Sequence, residues 1–419
     1  MTTEKTLLAA TRRGLLLGAA ASAGGAAASR LGMPFIGNAA AADPIKIGVI
    51  LAKTGQIVDQ AEYLWQGTEL ALEQRNKTLL DRPVELVWLD EPSPQVAQQN
   101  MQKLIDEHKV CAVIGGTLSS SALAMQAVAG RAKIPFVINN AAATDITGKN
   151  CNRWTFRLQP PVSVQMRALA PYAMGYGKKW YFLTAAYAFG QDILRSGRQI
   201  LKEAGGTEVG SDEVPLNTPD YSSFILKIRA AKPDVVLGGI AAGDLTTFMK
   251  QWNELGMKGK IPFAEIAIGD TDIWGVGPQA ATGTFTKMWY FNNPNNSPDD
   301  KAFAAAYMKK HNRPAADKAW MGWFAMKSLL GSIELAKSTE PEAIRGALEK
   351  WRYQDGDLAV GYRDFDHQML LRTTIVETKA NITDKWDYFD VKARLPEKVS
   401  DMEKVFGTKE EVGCNMAAT

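Results

Sequence analysis

The sequence predicts an α/β protein built as two similar lobes, and three observations lead there. Short apolar runs of strand length alternate with segments carrying apolar residues at helical spacing, first over 45–139 and again over 180–290. Continuous apolar strands joined by crossover helices imply parallel sheets covered on both faces. The 419 residues suit two or three domains at roughly 100–200 residues each.

In the first lobe, Ile45–Leu51, Val84–Asp90, Cys111–Gly115 and Phe136–Asn139 read as strands. Tyr63–Asn76, Gln95–His108 and Ser120–Ala132 read as the helices between them. The rhythm restarts with the strand Trp180–Ala185, the helix Gln191–Ala204 and a Val-rich edge at Glu208–Val214. The helix Tyr221–Ala231, the strand Asp234–Gly239 and the helix Asp244–Leu255 follow, then Pro262–Ile268 and Thr284–Tyr290. Gln159-Pro160-Pro161 marks the first boundary. Beyond the Pro- and Asn-rich loop Asn292–Pro298, the helices Lys301–His311, Ala319–Leu335 and Pro341–Lys350 are too few for a third domain and complete the two lobes.

Composition is that of a globular protein, 46% apolar and 22% charged, which excludes low complexity and general disorder. The formal charge of +3 resides in residues 1–42, leaving 44 basic and 44 acidic residues in the remainder. A neutral body without a basic stripe argues against a nucleic-acid partner. The three histidines, His108, His311 and His367, share no ligand-like spacing, so neither a metal site nor a cofactor is expected.

Residues 1–42 read as an export signal. Arg12 and Arg13 precede a small-residue stretch from Gly14 to Ser29, and Ala39–Ala42 supplies an Ala-x-Ala cleavage site before Asp43. The arginine pair favours the twin-arginine route, and a membrane anchor fits less well because the stretch is short and Gly-rich. No cysteine precedes Cys111, so a lipoprotein anchor is not expected, and the mature protein is placed free in the periplasm. In an oxidising compartment, Cys111 reads as a buried small hydrophobe. Cys151 and Cys414 lie in polar irregular segments and are paired here, the alternative being two free surface thiols.

Open α/β sheets bind ligands beyond the carboxyl ends of their strands, so the loops after the strands are the candidates. Gly115–Ser121 brings two glycines and three serines to a helix start, where N–H groups and hydroxyls suit a carboxylate. Simple N-capping by Ser119 or Ser120 is the competing reading. Asn139–Thr144 supplies amides and close-approaching backbone, while Tyr187–Gly190 and Gly238–Asp244 occupy matching places in the second lobe. Gly275-Val276-Gly277 lacks the third glycine of a dinucleotide loop and is discounted. No nucleophile elbow, phosphate loop or kinase signature is present.

From Lys46 to about Gly361 the chain resembles periplasmic solute-binding proteins of the leucine/isoleucine/valine-binding type, receptors of branched-chain amino acid ABC transporters. The matching stretches are Trp65–Gly67 with Glu69–Ala71, Ala112–Gly116 with Ser119–Ser121, and Ile134–Phe136. Tyr187–Gly190, Asp220–Phe224 and Lys232–Gly239 continue the match in the same order. The resemblance implies a type I periplasmic-binding-protein fold, two Rossmann-like lobes joined by three hinge crossings near Leu158–Pro160, Met288–Tyr290 and Leu370–Arg372. Lobe 1 then comprises 43–159 plus 289–370, lobe 2 160–288 plus 371–405, and 406–419 a C-terminal tail.

Carried over by position, the family's carboxylate-binding serine falls on Ser119 and its next contacts on Asn140 and Ala142. The two ammonium-binding positions fall on Ile240 and Ala267, neither of which binds a cation, unless Glu265 or Asp270 substitutes through a shifted loop. Tyr187, Phe189 and Trp320 are assigned to the second-lobe side of the site, with a plain core role as the alternative for Trp320. Members with a similar Tyr-x-Phe-Gly loop bind aromatic carboxylates, which makes these the preferred ligand class. An amino-acid receptor is the near alternative. A hydrolase or ligand sensor on the same scaffold is disfavoured, because the loop tips carry Ser, Gly, Ala and Asn rather than acid–base pairs. The implied partners are a small carboxylate and an inner-membrane ABC permease, with no bond made or broken and a monomeric receptor.

Overall fold

A computed structural model describes residues 43–55 and 57–416. The reading of residues 1–42 as an export signal lies outside the described residues. The first sheet uses β1 (Ile45–Ile50), β2 (Thr78–Leu79), β3 (Arg82–Leu89), β4 (Ala112–Gly115), β5 (Phe136–Ile138) and β6 (Thr155–Arg157). Their order is β2-β3-β1-β4-β5-β6, parallel except for the β2–β3 pair, with Ile47 of β1 opposite Leu86 on one side and Ala112 on the other. The second sheet begins with β7 (Lys179–Ala185), β8 (Thr207–Val214), β9 (Val235–Gly239), β10 (Phe263–Glu265) and β11 (Thr284–Lys287), all parallel. After the hairpin β12 (Arg352–Asp355) and β13 (Leu358–Gly361), the strands β14 (Thr373–Thr378) and β15 (Phe389–Leu395) add an antiparallel edge, giving β15-β14-β11-β10-β9-β7-β8.

Alternation along the strands shows why both faces of each sheet are covered. Val113 packs on one face with Met101 and Met125, whereas the adjacent Ile114 packs on the other with Leu64 and Phe324. Phe182 and Leu183 divide in the same way between two clusters, one around Leu169 and Ile193, the other around Phe248 and Trp252. The chain leaves the first sheet after β6 for the helix Val162–Tyr176, which lies on the second sheet. After β11 it returns through the helices Pro298–His311 and Asp317–Ala336 to the first, and it rejoins the second at β14.

Helix Asp317–Ala336 packs along helix Val58–Glu73. The contact is so close that a Cβ on Gly67 would stand 1.8 Å from the carbonyl oxygen of Ala319, and one on Gly322 2.0 Å from that of Leu64. These two glycines fix the distance between the helices, whose first residues form one wall of the cavity described below.

The strands β14 and β15 and the hairpin were not anticipated. Phe389, Val391, Ala393 and Leu395 alternate with Asp390, Lys392 and Arg394, a period-two pattern that marks a half-buried strand. Cys151 and Cys414 form a disulfide across 263 residues of chain, and the Cys414 region packs onto the body through Phe406 and through Arg363 Nη1, which donates to the Gly407 carbonyl at 2.8 Å. Cys111 is half-buried rather than fully enclosed, and burial pushes its thiol up to about 11.

Two outcomes follow for melting curves. Gly322→Ala forces the helices apart and lowers the melting temperature by several degrees, because overpacking costs about 1–3 kcal/mol. Cys414→Ser lowers it under oxidising conditions by the loss of about 2–4 kcal/mol, and shows no difference from the parent once both are reduced.

Candidate functional site

The carboxyl ends of the parallel strands of both sheets face one narrow cavity of about 40 Å³, at the place where open α/β sheets bind ligands. On the first-sheet side the loop after β4 gives Thr117, Leu118 and Ser119, and the loop after β5 gives Asn140, Ala141 and Ala142. Ser119 is the first residue of its helix, not its cap; the cap is Leu118, whose side chain cannot bond. Buried Glu91 does that work from behind the loop: its two carboxylate oxygens accept the Thr117 and Leu118 amides at 2.9 Å each. The serine-capping reading is thereby corrected, and two amides the sequence offered to a ligand are already taken. Burial raises the Glu91 carboxyl to about 7, against the pull of these hydrogen bonds.

The Ser119 hydroxyl oxygen accepts the Ala143 amide at 3.1 Å, which leaves its proton to donate elsewhere. Asn140 donates to the Thr117 carbonyl at 2.9 Å, joining the two loops. Beneath them lies Arg157, fully buried, with Nη1 on the Ala143 carbonyl at 2.5 Å and Nε on Gln368 at 2.7 Å. Burial brings its guanidinium down to about 9. This cation sets the position of the loop without lining the cavity.

On the second-sheet side stand Tyr187 and Phe189, their rings 6.1 Å apart, with Ala241 and Ala267. Ala267 holds a left-handed φ of 58° and donates its N–H to Thr286 Oγ1 at 2.8 Å. Such a conformation in a residue with a Cβ costs about 1 kcal/mol and persists where its surroundings impose it. Four helix N-caps reach the cavity, Ile57, Leu118, Tyr187 and Ala241, and none makes a side-chain capping bond. Their dipoles present positive ends to whatever the cavity holds.

The third wall is Ile57, Gln60 and Lys318. Gln60 Nε2 donates to both oxygens of Asp272 at 3.0 Å, linking helix Val58–Glu73 to the second-sheet helix Asp270–Val276. Next to it Asp270 accepts the Asp317 backbone N–H at 2.7 Å and Asp317 accepts that of Asp270 at 3.0 Å. Lys287 Nζ lies 2.9 Å from Asp270 and 3.8 Å from Asp317, and Lys318 Nζ 3.4 Å from Asp317. Burial lifts the Asp270 carboxyl to about 7 despite Lys287. At Asp317 burial also pushes upward, but Lys287 and Lys318 outweigh it and hold that carboxyl low.

Of the residues named from the sequence, Ser119, Asn140, Ala142, Tyr187, Phe189 and Ala267 line this cavity together. Two do not. Ile240 turns into the apolar core beside Leu183 and Phe248, so Ala241, one residue on, takes the wall. Trp320 belongs to the core, stacked on Phe324 at 4.8 Å with its indole N–H on Asp300 at 2.6 Å. Asp270 is committed to Lys287 and Asp317. Glu265 is buried beside Gly238, off the cavity wall, with Oε2 lacking a hydrogen-bond partner and its carboxyl raised well above the ordinary value by burial and then Asp272. Lys318 and Gln60 were missed. Asp317-Lys318 reads in sequence as the polar start of an apolar helix, and only the packing turns the lysine inward.

Residues 44–383 match the model of a family described as periplasmic binding protein. The Leu/Ile/Val-binding protein homolog 7 of Brucella abortus (strain 2308) is 26% identical over 347 residues, 78% of this chain and 86% of that protein. Among solved structures, a periplasmic binding protein from Burkholderia mallei superposes with a TM-score of 0.80 at 24% identity, over 90% of this chain and 99% of that one. A solute binding protein of an ABC transporter from Rhodopseudomonas palustris BisB5, in complex with 3,4-dihydroxy benzoic acid, gives 0.77 at 22% identity, over 84% of this chain and 97% of that one. At these identities the two structures share the fold of this chain, the type I periplasmic-binding-protein architecture.

Glu91 provides a test of the loop. Its carboxyl titrates near 7 in the folded protein and at the ordinary 4.5 when unfolded, so the folded state binds the extra proton between those values. Its contribution to stability therefore falls as pH rises through that window. Glu91→Gln supplies one acceptor for two amides and melts below the parent at pH 4.5. The gap narrows by pH 8, because the variant carries no buried charge there; melting curves at the two pH values measure this.

Proposed function

The chain belongs to the periplasmic binding protein family, of the branched-chain amino acid type, and from that premise we propose that it serves an ABC importer as receptor for a small carboxylate, an aromatic one by preference. The lining of the cavity carries the reading. Among the described residues, hydroxyl and amide donors, helix N-termini and one lysine line it, and no carboxylate does. An ammonium group would need a buried acceptor there, and one left unpaired is costly. Asp270 and Asp272 already face Lys287 and Gln60. Tyr187 and Phe189 suit a flat apolar body. The aromatic acid in the Rhodopseudomonas palustris structure supports the same class.

In this reading 43–159 with 289–370 and 160–288 with 371–405 move as two lobes, and capture is closure about the crossings between them. Gln60 on Asp272, and the Thr144 amide on Asp192 at 2.5 Å, join the two sides in the closed form. Nothing in it requires bond making or breaking. The family implies a periplasmic location and an inner-membrane permease as partner; residues 1–42 serve as the signal, by the twin-arginine route, and the receptor works as a monomer.

A leucine-type amino acid is the second reading, favoured by the unpartnered Oε2 of Glu265 behind Tyr187. A thermal-shift series separates the two, since a ligand that binds only the folded state raises the melting temperature. Benzoate and hydroxybenzoates are expected to raise it by several degrees and leucine to leave it unchanged; the reverse result selects the amino-acid reading. Ser119→Ala is expected to weaken aromatic-acid binding about tenfold or more, the loss of one hydrogen bond to a charged group, and to lower the melting temperature of the free protein by a few degrees without unfolding it, because the Ala143 amide loses its acceptor.

A further inference from the structure

We propose that Lys318 is a specificity-determining residue that receives a second carboxylate, so that the preferred ligand is a diacid, an aromatic one fitting the walls best. This rests on the carboxylate reading above. Lys318 is the one charged side chain lining the cavity among the described residues, and it is 2% exposed. A buried ammonium carries three donors and is stable only when they are met by anions or dipoles.

Inside the protein its counter-ion is Asp317, at 3.4 Å, longer than a charge-assisted hydrogen bond. That carboxylate is divided by oxygen: Oδ2 faces Lys318, while Oδ1 accepts the Asp270 amide at 3.0 Å and lies 3.8 Å from Lys287. Asp272, the other carboxylate whose charge acts on Lys318, has each oxygen on Gln60 Nε2 at 3.0 Å. Asp317 Oδ2 is thus left to Lys318, but it is a single oxygen facing an ammonium with three donors. The Lys318 ammonium keeps donors for the cavity.

The donors of Ser119 and Asn140 stand on a different wall. They are held by the loops after β4 and β5 through Ala143 and Thr117. No hydrogen bond among the described residues joins that group to Gln60 or Lys318. A monoacid seated on the Ser119 wall leaves the ammonium unmet, whereas a diacid meets both. The family resemblance placed a carboxylate only at Ser119, and the second anchor is argued from the Asp317-Lys318 pair itself.

Calorimetric titration of the purified protein with benzoate, the three benzenedicarboxylate isomers and leucine tests this, together with Lys318→Met and Lys318→Arg. The parent is expected to bind at least one dicarboxylate about tenfold or more tighter than benzoate, the worth of one charged contact at about 1.4 kcal/mol. Lys318→Met should weaken that dicarboxylate about tenfold or more beyond whatever it costs benzoate, and Lys318→Arg should keep the preference. If Lys318→Met does not fold, as its melting curve will show, the parent's own ratio and the arginine variant decide the matter. Benzoate bound as tightly as every dicarboxylate, or both weakened equally in Lys318→Met, overturns the second anchor alone. Leucine bound in place of every aromatic acid overturns the carboxylate reading and the anchor with it.

Discussion

Asp270 and Asp317 begin two helices that come from opposite sides of the cavity, and each accepts the other's backbone N–H, at 2.7 and 3.0 Å. Both side chains are buried, and so is Lys287, which neutralises them from β11. Taking these charges out of water is expensive, and removing one partner of such a group costs about 3–5 kcal/mol. The arrangement is therefore weak evidence for stability and strong evidence for geometry. It fixes where helix Asp317–Ala336 meets the second sheet, and with it where Lys318 and Gln60 stand.

The first-sheet side of the cavity is built on the same logic with opposite charges. Glu91 takes two amides at the start of helix Ser119–Ala132, and Arg157 takes the Ala143 carbonyl from beneath. Both are buried and neither lines the cavity. Charges behind the wall hold short loops in one conformation, so the groups that remain on the surface of the cavity are small: a hydroxyl, an amide, alanine backbone and helix ends. A ligand then meets donors whose positions are already set, which reduces the ordering it must impose on binding.

Much of the fold was legible because parallel strands buried on both faces leave continuous apolar runs, as at Ile45–Ile50, Val113 to Gly115 and Val235–Gly239. The antiparallel edge was harder. Arg352–Asp355 has little apolar content, and the alternation of Phe389–Leu395 sits beyond a run of helices that drew the reading toward completion of the lobes. The loops that follow the strands do reach the cavity wall, but the register within one of them differs from the reading: Ile240 and Ala241 are neighbours whose side chains go to core and cavity respectively.

The sequence by itself determined the alternating α/β order, the two sheets, the family and the strand-end loops that meet at the cavity, because each leaves a local signature in periodicity or motif. Tertiary structure alone decided which side chains face inward together. Lys318, Gln60, Glu91 and Arg157 are separated by scores of residues and act through partners on other elements. Trp320 shows the same dependence from the other direction, since helix packing commits its indole to Asp300 and the core. The reason is physical: burial and charge pairing depend on distance in space, and no local pattern records which distant carboxylate or amide a buried charge will meet.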